Sequence, residues 1–286
     1  MHCLIPEAEA VLDKEFPVLD KGFVRLVDYM GGDERVVQSA RVSYGTGTKS
    51  FREDSGLIDY LLRNRHTSPF EQVVLTYHIK LPIFIARQWI RHRTARLNEI
   101  SGRYSVLKDE FYVPAQEDVA LQSTDNKQGR AREVLDADEA KKIRAALTNT
   151  QERSYAEYKE LLDSGIAREL ARINLPLSLY TEWFWQIDLN NLFHFLELRL
   201  DDHAQKEIRL YGKILLEIAE KVAPLSCESF RRHILGGVNF SREEFAELKK
   251  RLDISEDKPD NHCAGTALSG KALDRFEEKL RSGKQI

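Results

Sequence analysis

The order of elements predicts an α+β fold, with strands early in the chain and long helices late. Two observations carry this reading. Residues 22–30 alternate apolar and polar side chains as a half-buried strand does, and residues 72–80 form a second β-rich run with Val73, Val74, Leu75, Tyr77 and Ile79. Beyond residue 140 the pattern changes to long helical stretches over 140–164, 189–199 and 204–222.

The elements follow in order. Residues 1–20 read as a variable leader. After the strand at 22–30, Gly31-Gly32-Asp33 turns the chain, and Asp33 is placed to cap a helix over 34–42. A second helix over 55–64 has Leu57, Ile58, Leu61 and Leu62 on its apolar side. Residues 65–71 form a turn containing Pro69. Pro82 suits the first turn of a helix that runs from 83 to about 93. Gly102 breaks the chain before a short strand at 103–107. Residues 115–136 are polar and read as a long loop of the kind that serves enzymes as a lid. Gly165 ends the 140–164 helix, and a further helix at 167–174 stops before Pro176. Asp201 and Asp202 are placed to cap the 204–222 helix, and Ser241-Arg242-Glu243-Glu244 is a capping box. The domain expected from this pattern spans 21–252. A polar tail follows over 253–286, with one short helix near 273–280.

Composition narrows the function classes. With 286 residues the chain can bury a sizeable core, and 42% apolar against 31% charged residues is a soluble, globular balance. The net charge of −3 gives no global basic field for nucleic acid, so any polyanion site must be local. No stretch approaches the roughly 20 apolar residues of a membrane span, and no signal peptide is evident. Cys3, Cys227 and Cys263 are far apart and odd in number, which fits reduced thiols in a cytoplasmic protein rather than a disulfide framework or zinc site. The eight His show no metal-ligand spacing, so no metal is expected and a metal-dependent hydrolase is disfavoured. No Gly-rich dinucleotide fingerprint occurs.

One run concentrates chemistry. Residues 91–104, Arg-His-Arg-Thr-Ala-Arg-Leu-Asn-Glu-Ile-Ser-Gly-Arg-Tyr, set four guanidiniums against a single carboxylate, Glu99. Excess positive charge on forked donors matches phosphate geometry and points to a large phosphorylated ligand. Arg-His-Arg, seven residues and Ser, with Asn98-Glu99 inside and Arg103-Tyr104 after, resembles the signature of flavin-dependent thymidylate synthases. The departure is Arg96, where Ser is usual. Four separated segments resemble the same family in the same order: Ala40-Arg41-Val42-Ser43-Tyr44, His66-Thr67-Ser68-Pro69-Phe70-Glu71, Ala171 to Pro176 with Tyr180-Thr181, and Leu196 to Ile208.

The resemblance covers about residues 21–222. It implies a single domain whose antiparallel sheet packs with helical layers, in a homotetramer with shared active sites. It also implies a methyltransferase that reductively methylates dUMP to dTMP. In that reaction 5,10-methylenetetrahydrofolate donates the carbon, NADPH reduces FAD, the reduced flavin supplies the hydride, and tetrahydrofolate leaves. FAD contacts are expected from His66, Ser68, Arg91, His92, Arg93, Glu99, Asp188, Asn190 and His194. Contacts to dUMP are expected from Gln88, Arg91, Glu99, Ser101, Gly102, Arg103, Arg172 and Arg199. Arg199 is the expected catalytic residue, facing the uracil ring and favouring loss of the N3 proton. Its other reading is a structural salt bridge to Asp201, Asp202 or a remote acid, and that of Glu99 is an ion pair with Arg96 or Arg103. Ser101 has no adjacent base to make it a nucleophile, and none of the cysteines lies in a matched segment. The rival class, a nucleic-acid-binding protein using the basic run from Arg91 to Arg103, is opposed by the net charge and by the Asn98-Glu99 insertion.

Overall fold

The computed structural model of the protein describes residues 4–42, 51–124, 127–251, 268 and 270–282. The chain divides into two compact units, Met1–Arg231 and Arg232–Ile286, the second starting inside the expected 21–252 stretch. The first unit contains α1 (Pro6–Glu9), β1 (Glu15–Val18), β2 (Gly22–Met30), α2 (Asp33–Ala40), α3 (Phe51–Arg63), β3 (Val74–Pro82), α4 (Ile83–Trp89), β4 (Arg96–Glu99), β5 (Ala120–Gln122), β6 (Arg130–Val134), α5 (Ala137–Asp163), α6 (Arg168–Ala171), β7 (Tyr180–Asp188), α7 (Leu189–Leu200), α8 (Lys206–Val222) and α9 (Pro224–Phe230). The second unit contains α10 (Arg242–Arg251), opened by the capping box in which Ser241 and Glu244 exchange hydrogen bonds, and α11 (Lys271–Ser282).

The architecture is α+β, as the element order predicts. Five strands form an antiparallel sheet in the order β1-β2-β3-β7-β4, and β5 and β6 form a separate hairpin. Alternation along the strands puts Val24 and Leu26, Leu75, Tyr77 and Ile79, and Trp183, Trp185 and Ile187 in the core. Trp89 at the end of α4 wedges among Trp183, Trp185, Phe195 of α7 and Tyr211 of α8, with ring centroids 4.6–5.9 Å apart. Gly22 is required by close packing: a Cβ there would lie 2.1 Å from the Tyr211 hydroxyl, which donates to the Lys80 carbonyl at 2.7 Å.

The sequence reading departs from the structure in several places. β7 was not foreseen, although it pairs with all of β3 from Val74↔Asp188 to Pro82↔Tyr180. The strand expected at 103–107 is instead a turn and irregular chain, and β4 forms earlier, inside the basic run. The expected loop at 115–136 contains the β5–β6 hairpin, pinned to α8 by two ion pairs, Arg130–Glu207 and Lys206–Asp118. Residues 15–18, in the expected leader, pair with β2 as the sheet edge. Asp201 and Asp202 do not cap α8; the Asp201 carboxylate instead accepts the His203 N–H at 2.8 Å. Asp33 does not cap its own helix either, since Gly32 occupies that position.

Asp33 caps a distant helix. Its carboxylate accepts the N–H groups of Leu225 and Ser226 at 2.7 and 3.0 Å and the Ser226 hydroxyl at 2.6 Å, at the start of α9. Burial raises its pKa, and these hydrogen bonds oppose the rise. Asp33→Ala should therefore lower stability by ~1–2 kcal/mol, the upper part of the usual cost of losing a cap, while Asp33→Asn, which keeps an acceptor, should lose less. Urea denaturation of the two variants checks this, and equal losses would show that the cap is not what Asp33 contributes.

Candidate active site

Trp89 closes α4, and the chain leaves the helix through Ile90 into Arg91-His92-Arg93. His92 turns back against the core, its ring 4.7 Å from Phe195 and 5.9 Å from His194. Burial, then Arg199 and His194, lower its pKa to about 4, so the imidazole is neutral near pH 7. Arg199 Nε donates to His92 Nε2 at 3.0 Å and Nη2 donates to the Gln88 carbonyl at 3.2 Å. The acceptor nitrogen is therefore unprotonated and the ring proton sits on Nδ1. Burial lowers the Arg199 pKa. No carboxylate pairs with Arg199, so the salt-bridge reading of this residue does not hold among the described residues. The Gln88 side chain is fixed as well, its Nε2 donating to Gln205 Oε1 at 2.5 Å.

A second group lies along β4 and the turn after it. Glu99 accepts the Thr181 hydroxyl at 2.6 Å and makes no ion pair with Arg96 or Arg103, against one expectation. Ser101 Oγ accepts the Arg103 N–H at 3.3 Å. Gly102 is buried against Arg172: a Cβ there would lie 3.1 Å from Arg172 Cδ and 2.9 Å from Leu107. The Arg103 guanidinium pairs with Glu169 at 3.1 Å in a largely exposed setting. Arg91, Arg93, Arg96 and Arg172 have no side-chain hydrogen bond or ion pair among the described residues. Four free guanidiniums fit the phosphates of large anionic ligands, a flavin dinucleotide included.

The remaining expected residues make no hydrogen bond or ring contact with these groups among the described residues. Asp188 caps α7, accepting the Asn191 N–H at 2.9 Å, with Asn190 one residue along the first turn. His66 and Ser68 are exposed after α3; the His66 ring lies 5.8 Å from Tyr60 and makes no hydrogen bond or ring contact with Arg199, His92 or Gln88. Ser43 and Tyr44 of the early matched segment lie outside the described residues. Sequence reasoning missed Gln205, Thr181 and Glu169 as partners of Gln88, Glu99 and Arg103. These pairs span 117, 82 and 66 residues, separations that no local pattern reports. Among the described residues no cluster of three metal-ligating side chains occurs and no helix is long and apolar enough to cross a membrane.

The depressed His92 pKa has a consequence for stability. Between pH 4 and about 6.5 the unfolded chain binds the proton and the folded ring does not, so this contribution is intact above 6.5 and is lost as pH falls through 4. Nitrogen NMR of labelled His92 should show a neutral, Nδ1-protonated ring at pH 5.5. His92→Gln should flatten the acid limb of stability against pH. An imidazole titrating near 6.5 would contradict the buried Arg199–His92 contact.

Comparison with known proteins follows the same residues. The family model described as "Thymidylate synthase complementing protein" matches residues 25–225, and "Thymidylate synthase ThyX C-terminal domain" matches residues 238–286. A flavin-dependent thymidylate synthase from Treponema denticola is 65% identical over 96% of this chain and 100% of its own length. That from Treponema pallidum is 57% identical over 99% and 90%, and that from Thermus thermophilus 51% over 92% and 95%. Among solved structures, a UMP/dUMP methylase, PolB from Streptomyces cacaoi bound with 5-Br dUMP, is similar with a TM-score of 0.69 and 33% identity, covering 77% of this chain and 98% of that one. These matches run through the segments that hold Arg91, Arg172 and Arg199, and the chain belongs to the flavin-dependent thymidylate synthase family.

Proposed function

We propose that the protein methylates dUMP to dTMP, with FAD as cofactor, 5,10-methylenetetrahydrofolate as carbon donor and NADPH as reductant. The observation that carries this reading is the guanidinium of Arg199, held by two neutral acceptors, His92 and the Gln88 carbonyl. A carboxylate partner would orient Arg199 equally well but would cancel its charge. Neutral partners orient it and leave the charge available to a ligand. Placed beside O2 and N3 of uracil, it stabilises the anion left by N3 proton loss and raises electron density at C5. A bound flavin supplies the hydride that turns the transferred methylene into a methyl group, and NADPH restores it.

Arg91 and Arg93, without side-chain partners among the described residues, fit the flavin phosphates, with His92, Glu99, Asp188, Asn190, His194, His66 and Ser68 as further flavin contacts. Arg103, Ser101 and the Gly102 backbone fit the dUMP phosphate, with Arg172 as a second contact. No protein nucleophile is needed. Ser101 Oγ makes no hydrogen bond to a basic side chain among the described residues, and burial pushes the Cys227 thiol well above its ordinary range, which leaves it inert. The scattered cysteines suit a cytoplasmic protein.

Arg199→Lys should bind dUMP but lose most turnover, because a point donor cannot repeat the planar fork. Steady-state methylation assays on flavin-loaded protein check this, and near-normal turnover would remove Arg199 from N3 activation. The shared-site homotetramer makes a separate prediction. Within one chain, His66 and Ser68 make no hydrogen bond, ion pair or ring contact with the Arg199 cluster among the described residues. A His66/Ser68 double variant and an Arg199 variant, each inactive alone, should regain activity when dissociated, mixed and reassociated. No recovery, with mixing confirmed by native mass spectrometry, would place the whole site within one chain.

A further inference from the structure

Glu99 is the single acid in the run that holds Arg91, Arg93, Arg96 and Arg103, yet among the described residues it pairs with none of them. The sheet explains this. In the β4–β7 register Glu99 lies opposite Trp183, and Arg96 lies opposite Gln186. Side chains alternate along a strand, so Glu99 shares a face with Trp183 while Arg96 takes the other face with Gln186. Thr181, two residues before Trp183 on β7, is the diagonal neighbour of Glu99 on that shared face. Such a neighbour is within reach of a long side chain.

The Thr181 hydroxyl meets Glu99 Oε1 at 2.6 Å. An ionised carboxylate only accepts, so the hydroxyl is the donor, and the bond is short and charge-assisted. Thr181 is 5% exposed, and this is its one side-chain hydrogen bond among the described residues. A buried hydroxyl on a paired strand thus holds an exposed carboxylate on the sheet edge. Glu99 Oε2 has no hydrogen-bond partner among the described residues, and Glu99 is exposed, so an acceptor oxygen is left open to a ligand. A phosphate would be repelled there; a hydroxyl or N–H donor would be accepted. Apart from its phosphate, dUMP has two donors, uracil N3–H and the sugar 3′-hydroxyl. The reading above places N3 at Arg199, which leaves the 3′-hydroxyl. FAD also carries sugar hydroxyls, and Glu99 is expected at both ligands.

Resting on the dUMP reading above, we infer that Thr181 is a positioning residue that orients the Glu99 carboxylate to accept the 3′-hydroxyl of dUMP. It touches no reacting atom. It fixes a long, exposed side chain before the nucleotide arrives, so less rotamer freedom is lost on binding.

The test varies the hydroxyl and keeps the strand. Thr181→Val retains the β-branched shape that suits a strand and removes the donor. Thr181→Ser retains the donor. Thr181→Ala also lacks it and stands in for the Val variant if that protein does not fold. The Kd values for dUMP and for its 3′-deoxy analogue are measured by calorimetry on full-length, FAD-loaded protein, and FAD affinity is measured on each variant by fluorescence. The unmodified protein and Thr181→Ser should both favour dUMP over the analogue. Thr181→Val should reduce that preference about five- to tenfold, the scale of one net hydrogen bond, through weaker dUMP binding with the analogue unmoved. A residue with only a structural role would weaken both nucleotides together. An unchanged ratio across the folded variants would overturn the inference. If FAD affinity fell while that ratio held, the hydroxyl that Glu99 accepts would belong to the flavin, and the assignment to dUMP would be wrong. Failure of the unmodified protein to bind dUMP would instead overturn the substrate reading on which the inference rests.

Discussion

The anchoring of Trp89 is the constraint on which the site depends. Its ring meets Trp183 and Trp185 of β7, Phe195 of α7 and Tyr211 of α8, so one side chain ties the central sheet to both covering helices. The indole N–H has no hydrogen-bond partner among the described residues. Leaving such a donor buried costs about 1–3 kcal/mol, and burial of an aromatic side chain this large, with its ring contacts, offsets that cost. Because Trp89 is the last residue of α4, its position fixes where the chain leaves the helix. Gln88 lies just before it and His92 three residues after, and these two receive Arg199 from α7, whose Phe195 packs on the same indole. Packing and site geometry are thus set by one side chain.

The electrostatics separate scaffold from site. Several cations away from the site have carboxylates: Lys80 with Glu110 at 2.8 Å, Arg209 with Asp202 at 2.8 Å, Arg231 with Glu220 at 2.5 Å. Arg199 has only neutral acceptors, and Arg91, Arg93, Arg96 and Arg172 have no side-chain partner among the described residues. Cations left without a carboxylate repel one another within the folded chain, an effect that weakens with distance and with salt. A polyanionic ligand relieves that repulsion. The net charge of −3 hides this arrangement, because it sums charges over the whole chain and reports nothing of their local placement.

What the sequence made legible follows from the range of each interaction. Local signals worked: the alternation of β2, the Pro at the start of α4 and the capping box of α10 are each written within a few residues. β7 was legible in principle, since Trp183, Trp185 and Ile187 alternate with Glu182, Phe184 and Gln186. Phe184 on the opposite face obscured the pattern by making three successive residues aromatic. Asp33 misled for a different reason. Its residue type announces a cap, but the first N–H group that it caps, that of Leu225, lies 192 residues later. The Arg-His-Arg run was recognisable as a motif. That its imidazole is a neutral acceptor for Arg199 was not, because the pairing spans 107 residues and the neutrality comes from burial.

Arg96 shows how fold and ligand binding constrain one position together. It opens β4, the edge strand, and all four residues of that strand are exposed. Beside it Leu97 and Phe184 of the neighbouring β7 are 39% and 45% exposed. A bare apolar sheet edge invites pairing with another chain's strand, and short length and charged side chains are the usual protection. β4 has both, with four residues and a charge at each end, Arg96 and Glu99. Glu99 is engaged by Thr181, which leaves Arg96 as the freely solvated charge on this edge. A serine at this position would leave the edge without that charge. The Arg96 charge therefore has a reason within the sheet itself, independent of any ligand that the same guanidinium meets.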